Sequence, residues 1–165
     1  MRKPSAADFA DAISFWLMKT EPGECSIDDA LSAPDQTVSW FGIRNYQARN
    51  FIRDEMKPGD GVLFYHSSCA KPGIVGLAVI ASESYPDRCQ FDPESEYFDA
   101  KSSPDKPRWL AVDVKAVYKS SLIGIDRLRT IPALAGLRIL QRGNRLSITP
   151  VDKKDFLYIL ENLIQ

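Results

Sequence analysis

Short apolar segments interrupted by helical segments in an irregular order constrain the fold of this chain more than any other feature. Strand-like segments occur at residues 15–18, 37–40, 61–66, 74–81 and 109–118. Repeated βαβ units would require strands and helices to alternate regularly, and this chain lacks that alternation. The pattern instead predicts an α+β fold in which a small, mixed β-barrel is flanked by helices.

Apolar periodicity predicts the two longest helices. The first runs from about Asn45 to Met56, and one face of it is formed by apolar residues at helical spacing: Ala48, Phe51, Ile52 and Met56. The second runs from Asp152 to about Leu163. A shorter helix is predicted after Ser26, because a serine hydroxyl suits the N-cap position.

Two connections carry further expectations. Residues 139–140 and 146–148 flank a segment rich in turn-forming residues, which predicts a final hairpin. The segment from Glu83 to Arg108 lacks clear periodicity but contains four aromatic residues. We therefore expect an ordered Ω-like loop that its aromatic side chains anchor to the domain.

The charge balance limits the kinds of partner. Lys and Arg total 21 against 22 Asp and Glu, which gives a net charge of −1. Proteins that grip long nucleic acids through their phosphates are usually basic overall. Any nucleic-acid contact is therefore expected to be local, as in a pocket with a small basic rim.

The N-terminus and the cysteines predict a cytoplasmic protein. The apolar run at residues 13–18 is too short for a signal-sequence core or a membrane span, so we expect no membrane association. Three cysteines without a paired spacing are typical of free thiols in a reducing compartment. We interpret residues 1–13 as a flexible arm and residues 14–165 as a single domain.

Catalytic and metal-binding arrangements find little support in the sequence. His66 is the only histidine, so a Cys-His enzyme would have to pair it with a cysteine such as Cys69, and no third member stands out. One histidine and scattered cysteines do not form a zinc-ligand cluster. Neither a P-loop nor a G-x-G-x-x-G motif occurs. We therefore expect binding rather than catalysis, without a metal or another cofactor.

The segment from Val38 to Asn50 is the strongest candidate for a ligand site. Trp40 precedes Arg44, Asn45 and Tyr46, so a ring able to stack on a flat ligand lies beside polar groups able to bond to its edge. Structural explanations stay open for two of these residues. A tryptophan at a strand end is most often a core residue, and an asparagine suits a helix N-cap.

Two further groups of candidates lie at predicted strand ends. Lys19 and Glu21 could form the opposite rim of the pocket, or a surface ion pair of little energetic value. Tyr65, His66 and Ser67 end an apolar strand, where polar groups could project into the mouth of a barrel. A lone histidine, however, is more often a hydrogen-bonded structural residue than a catalyst.

A basic turn near the C-terminus is a candidate phosphate-binding site. Arg142, Asn144 and Arg145 surround Gly143 in this turn. Guanidinium groups match the geometry of phosphate oxygens, which favours contacts with a nucleic-acid backbone. Turn chemistry combined with solvated charge explains the same residues equally well.

Several motifs, in the right order, resemble the EVE domain, a family of the PUA-like superfamily. The resemblance runs from about residue 15 to the C-terminus, and Thr20 stands where the family pattern has serine, a change that keeps a hydroxyl. The matching segments are residues 16–22, 40–50, 64–67, 72–76, 101–103, 107–109 and 142–147.

The resemblance implies a PUA-like β-barrel flanked by helices, similar in fold to the YTH domain, which reads a methylated adenine in RNA through an aromatic cage. Eukaryotic relatives of the family include a thymocyte nuclear protein. The implied function is a non-enzymatic reader of a modified nucleobase in DNA or RNA, and we expect its aromatic pocket to be built from Trp40, Asn45, Tyr46, Lys19 and Tyr65.

Two alternatives stay open beside this interpretation. One is a sensor of a small, nucleoside-like ligand that uses the same pocket. The other, less well supported, is an enzyme that processes nucleotides or RNA. The sequence does not identify the modified base, the choice between RNA and DNA, the strandedness of the target or the oligomeric state.

Overall fold

The computed structural model describes residues 2–165, so Met1, the first residue of the predicted arm, lies outside the described residues. Across these residues the chain forms a seven-stranded sheet. Its strands are β1 (Phe15–Thr20), β2 (Thr37–Trp40), β3 (Gly61–His66), β4 (Gly73–Ile80), β5 (Tyr85–Pro86), β6 (Leu110–Gly124) and β7 (Ile148–Val151). The strand order is β2-β6-β4-β3-β1-β7, and β5 pairs with β6 beside this path.

The sheet is mixed because of β1. This strand pairs in parallel with β3 and antiparallel with β7, whereas the other pairs are antiparallel. The α+β class and the mixed sheet predicted from the sequence are confirmed. The longest strand, β6, pairs with both β2 and β4, so it carries much of the framework.

Alternate side chains of the strands fill two separate cores. In β1, Trp16 and Met18 belong to a first core, whereas Phe15 and Leu17 belong to a second core. Successive side chains of a strand point to opposite faces of the sheet, so these cores lie on its two sides. The first core collects residues from six of the seven strands of residues 2–165, which indicates that the sheet curls around it.

An aromatic contact shows how strongly the sheet curls. The ring centroids of Trp40 in β2 and Phe64 in β3 are 5.4 Å apart, although β6 and β4 lie between those strands in the sheet. Neighbouring strands are about 4.8 Å apart, so a flat sheet would hold these rings much farther from each other. The curled sheet therefore forms the barrel-like wall that the sequence predicted.

The helices pack on this framework. They are α1 (Ile27–Ser32), α2 (Tyr46–Asn50), α3 (Ile125–Arg129) and α4 (Lys153–Asn162). The predicted N-cap of α1 is confirmed, since the Ser26 hydroxyl accepts a hydrogen bond from the Asp29 N–H at 3.1 Å. On the other face of the sheet, α4 contributes Phe156, Ile159 and Leu160 to the second core.

The helix predicted from Asn45 to Met56 consists of two parts. After α2 the chain continues as a π-helix over Phe51–Glu55, and the Met56 N–H donates to the Phe51 carbonyl at 2.9 Å. The predicted apolar face is nevertheless buried throughout, from Ala48 to Met56. Periodicity predicted the buried face correctly, but it does not distinguish an α-helical turn from a wider π turn.

The hairpin predicted near the C-terminus is wrong. Residues Arg138–Leu140 form a 3-10 helix instead of a strand, and β7 pairs with β1 at the other end of the chain. The side-chain amide of Gln141 donates to the Ala135 carbonyl, and that of Asn144 donates to the Arg138 carbonyl. Such local bonds compete with a strand ladder, which explains the irregular loop.

The segment predicted as a flexible arm packs against the domain through Phe9 and Ala12. Residues Ala6–Phe9 form a short 3-10 helix, and Phe9 is buried in the second core with its ring centroid 4.9 Å from that of Phe156. Sequence patterns did not reveal this isolated aromatic anchor. No helix within residues 2–165 is both long enough and apolar enough to span a membrane.

Candidate functional site

A cavity of about 690 Å³ opens where β1 and β2 end, and we call it the main cavity. Its lining includes Lys19 and Thr20 of β1 and Trp40 of β2. These strands are not neighbours in the sheet, so the cavity spans the gap that the curled sheet leaves between them. Thr20 is the next position on the face of β1 that carries Trp16 and Met18, so the first core leads into this opening.

The structure brings some of the predicted site residues to this cavity and leaves others elsewhere. Those that line it are Lys19, Glu21, Trp40, Ser67 and Arg145. Those that do not line it are Arg44, Asn45, Tyr46, Tyr65, His66, Arg142 and Asn144. Trp40 is 6% exposed, so it serves both as a core residue and as part of the cavity wall.

Tyr65 and His66 are held within the fold. Tyr65 follows Phe64 in β3 and therefore points to the opposite face of the sheet, where it is buried in the second core. The His66 Nε2 accepts a hydrogen bond from the Ile27 N–H at 3.1 Å, which ties β3 to the start of α1. His66 is thus the hydrogen-bonded structural histidine that the sequence left as an alternative.

Asn45 and Tyr46 begin α2 and contribute to the structure of that region. The Asn45 Oδ1 accepts from the Ala48 N–H at 3.0 Å, so the residue is a helix N-cap. The Tyr46 ring is stacked on Trp109 with a centroid distance of 4.7 Å. The Arg49 guanidinium lies 4.8 Å from the same ring centroid, so neighbouring side chains already use part of the Tyr46 ring surface.

Arg44 binds the loop at residues 83–108 rather than the main cavity. Its Nη1 forms a 2.9 Å ion pair with Asp87, whose side chain is fully buried. Its Nε and Nη2 donate to the Tyr97 carbonyl at 3.0 and 2.7 Å. The guanidinium therefore joins two separate points of this loop to the segment before α2.

Asp87 and a run of aromatic and cationic side chains anchor the loop to the domain. Besides Arg44, the Asp87 carboxylate accepts from the Gly42 and Cys89 N–H groups, each at 2.8 Å. The loop is ordered, as the sequence predicted. Consecutive contacts of 4.7 to 5.9 Å between ring or guanidinium centres connect Phe41, Tyr97, Arg44, Trp109, Tyr46 and Arg49.

The loop at residues 83–108 supplies two residues to the main cavity, Glu96 and Tyr97, and the Tyr97 ring is closely held. A Cβ built on Gly42, which has a φ of 83°, would lie 2.8 Å from the Tyr97 Cζ, so only glycine allows the ring to approach this closely. The Tyr97 hydroxyl donates to Glu24 at 2.7 Å. Burial and this hydrogen bond raise the pKa of Tyr97, so the hydroxyl stays protonated. From the sequence we expected only an anchor here, because the Tyr97 contacts join residues that are 53 and 73 positions apart in the chain.

The main cavity is lined by side chains of both charges. Glu21, Glu24 and Glu96 line it together with two cations, Lys19 and Arg145. Burial lowers the pKa of Lys19, which indicates that this ammonium group lies partly out of water. The cavity is therefore not a general anion site, and it offers both hydrogen-bond acceptors and donors.

Beside the main cavity lies a second depression of about 450 Å³, and Arg145 lines both. The three predicted phosphate-binding residues, Arg142, Asn144 and Arg145, all belong to its wall. Asn144 uses its amide within the loop, since its Oδ1 accepts from the Leu146 N–H at 3.0 Å and its Nδ2 donates to a carbonyl. Its contribution is therefore to the shape of the loop.

The cysteines are free, as the sequence predicted. Cys25 lines the main cavity, and burial raises the pKa of its thiol, which favours the unreactive, protonated form. Within residues 2–165, no three His, Cys, Asp or Glu side chains are grouped as metal ligands would be. Binding without a metal stays a prediction.

Comparison with known proteins decides the family of this chain. The profile of the EVE domain matches residues 14–162. The chain belongs to the EVE domain family. The resemblance inferred from the motifs is thereby confirmed for nearly the whole chain.

Relatives of this EVE domain occur in animals and bacteria. Thymocyte nuclear protein 1 of Danio rerio is 47% identical over 165 residues, which cover 89% of this chain and 72% of the relative. A crystal structure of a Pseudomonas syringae protein is 42% identical, covers 90% of this chain and 98% of its own, and superimposes with a TM-score of 0.85. Human THYN1 protein, crystallised in complex with DNA containing 5-methylcytosine, is 39% identical, with coverages of 90% and 96% and a TM-score of 0.83.

Acid should destabilise this EVE domain through His66. Burial lowers the pKa of His66 below its ordinary value, and a protonated Nε2 could no longer accept from the Ile27 N–H. Because the unfolded chain then binds the proton at higher pH than the folded protein, stability should fall as pH drops through about 6.5. Denaturant unfolding at about pH 7.5 and about pH 5.5, above the carboxylate range, measures this loss.

A His66→Gln variant provides the control for this experiment. His66 is the only histidine of the chain, so the substitution removes the whole histidine contribution. The difference in unfolding free energy between the two pH values should shrink in the variant. An unchanged difference would mean that other groups cause the acid sensitivity.

Proposed function

We propose that this EVE domain binds a modified nucleobase of DNA, turned out of the base stack into the main cavity. The observation that carries this proposal is the cavity at the open end of the barrel in a chain related to human THYN1, which has been crystallised with DNA containing 5-methylcytosine. Enzymes and readers that need access to one base commonly extrude it from the duplex. The same cavity would accept an unpaired base of a single strand.

The size and walls of the main cavity support a flat, aromatic ligand. About 690 Å³ lies within the range of about 300–1,000 Å³ typical of small-ligand pockets. Trp40 and Tyr97 give the wall aromatic surface, and contacts between bases and aromatic rings favour binding by about 1–3 kcal/mol per base. The loop contacts described above hold Tyr97 in place before a ligand arrives, so little ordering would be required on binding.

The polar groups of the wall suit the edge of a base. Carboxylates of Glu21 and Glu24 can accept hydrogen bonds from an exocyclic amino group, as carboxylates do from cytosine N4. Lys19, held partly out of water, can donate to a ring carbonyl oxygen. A base that presents both kinds of group, as cytosine does, would satisfy both sides of the cavity.

We infer that binding, rather than catalysis, is the activity of this site. His66, which the Cys-His arrangement considered from the sequence would require, already accepts a backbone hydrogen bond through Nε2 and does not line the main cavity. We retain a cytoplasmic location as part of the proposal, because the three cysteines are free thiols.

Blocking the main cavity tests the proposal. Thr20→Trp places a large side chain at the end of β1, on the face that leads into the opening. Titration with short oligonucleotides, each carrying one modified or unmodified cytosine, should show a preference for the modified base in the wild type. The variant should lose that preference and keep weak, salt-dependent binding through phosphates.

The matched control is Thr130→Trp, which adds the same side chain at an exposed position outside the main cavity. This variant should retain the wild-type preference. Equal preference in Thr20→Trp and the wild type would refute the cavity as the base site. RNA versions of the oligonucleotides and free nucleosides belong in the same panel, because tight, salt-independent binding of a free nucleoside would favour the small-ligand sensor.

A further inference from the structure

The second depression differs in chemistry from the main cavity. Its polar side chains come from the start of α2 and from the 138–146 loop. No Asp or Glu is among the residues that line it, whereas three glutamates line the main cavity. The residues with polar side chains are Asn45, Gln47, Arg138, Gln141, Arg142, Asn144 and Arg145.

The three arginines of this depression are free to bind a ligand. In the part of the chain that the structure describes, Arg138, Arg142 and Arg145 form neither an ion pair nor a side-chain hydrogen bond. The exposed Arg2, Arg53 and Arg129, in contrast, each pair with a nearby aspartate. Three unpaired guanidinium groups around one depression concentrate positive charge on a chain whose net charge is −1.

The loop that carries these arginines has a defined shape. Gln141 donates to the Ala135 carbonyl, Asn144 bonds at both ends of its amide, and Gly143 has a φ of 80°. These contacts set the backbone conformation of residues 138–146 and therefore fix the Cα positions of the three arginines. Asn45 also lines the depression, and because the helix cap uses its Oδ1, its Nδ2 remains a hydrogen-bond donor.

We propose that the second depression binds a backbone phosphodiester of the nucleic-acid strand, next to the nucleotide whose base occupies the main cavity. This inference rests on the proposed function and adds the course of the strand. Arg145 lines both sites, so a nucleotide in the main cavity would carry its phosphate toward this residue. A strand that left the main cavity past Glu21, Glu24 and Glu96 would instead bring its phosphates close to carboxylates, which repel them. The strand therefore leaves the main cavity on the arginine side.

Charge removal at Arg138 and Arg142 tests the inference on the full chain. Arg138→Gln and Arg142→Gln should each weaken binding of a DNA oligonucleotide with one 5-methylcytosine. The slope of log Kd against log salt should fall by about 1 for each phosphate that the variant no longer neutralises. The ratio of affinities for modified and unmodified oligonucleotides should stay the same, since phosphate contacts carry no base information.

Arg127→Gln is the matched control, because Arg127 is also exposed and has no ion-pair partner among residues 2–165 but lies outside the depression. Its salt slope should equal that of the wild type. Equal slopes in Arg127→Gln, Arg138→Gln and Arg142→Gln would overturn the inference, as would a changed base preference in the last two variants. Thermal unfolding of each variant checks that the exposed substitutions leave the fold intact.

A scan with methylphosphonate linkages, which are uncharged, locates the contact. In the wild type, one substituted linkage beside the modified nucleotide should weaken binding, and the same linkage should have little further effect in the Arg138→Gln, Arg142→Gln double variant. The wild type could prefer the modified base and yet bind with the same affinity wherever the uncharged linkage is placed. That result would overturn this inference without contradicting the proposed function. Failure of the wild type to bind any oligonucleotide would overturn both.

Discussion

Trp40→Ala is expected to lower the free energy of unfolding by about 3–5 kcal/mol, the usual cost of removing a buried tryptophan. The ring is 6% exposed and packs edge-to-face against Phe64 across the first core. Since the same ring borders the main cavity, base preference should be lost along with stability. Denaturant unfolding and oligonucleotide titration on the same variant measure the two effects.

The neighbouring Phe41→Ala variant is the matched control for Trp40. Phe41 also lines the main cavity, but it is 43% exposed and contacts Tyr97 at the surface. Phe41→Ala should lower the free energy of unfolding by much less than Trp40→Ala does. If Trp40→Ala were as stable as Phe41→Ala, the assignment of Trp40 to the core would be wrong.

Asp87→Asn should be the other severely destabilising substitution, at a cost of about 3–5 kcal/mol. The carboxylate is fully buried and accepts from Gly42, Arg44 and Cys89. An asparagine in either orientation points its NH₂ group at one or more of these donors and leaves the Arg44 charge without its partner. The loop at residues 83–108 should loosen, so base preference should weaken together with thermal stability.

Asp8→Asn is a matched control, because Asp8 and Arg2 form an ion pair of the same 2.9 Å length at the exposed N-terminal end. Solvent screens that pair, so its loss should leave the melting temperature almost unchanged. Similar melting temperatures for Asp87→Asn and Asp8→Asn would contradict the role of Asp87 as the anchor of the loop. Hydrogen exchange of residues 83–108 provides a local readout of the same effect.

Local patterns predicted the framework of this EVE domain well. Alternating and continuous apolar runs located β2 and β3 to the residue, and the Ser26 hydroxyl marked the start of α1. Motif order pointed to the family, which the comparison confirmed. These features depend on neighbours within a few positions, where propensity, capping and periodicity act.

Local patterns failed where a distant partner competes for the same residues. The 138–148 segment contains turn residues and apolar residues, yet β7 pairs with β1, more than a hundred positions away. Asn45 and Tyr46 carry the groups that a base reader needs, but a helix cap and the Trp109 ring use those groups. Sequence alone could not rank these partners, because their distances arise only in the folded chain.

The sequence by itself therefore determined the α+β class, most of the strands and helices, the family and the presence of aromatic and basic candidates near the ends of strands. Only the tertiary structure decided which of them share a cavity. The curl of the sheet brings Lys19 and Trp40 together, and the buried Asp87–Arg44 pair places Tyr97 beside them. The physical reason is that a binding site depends on contacts between residues far apart in the chain, and burial of the two cores, rather than local preference, fixes those contacts.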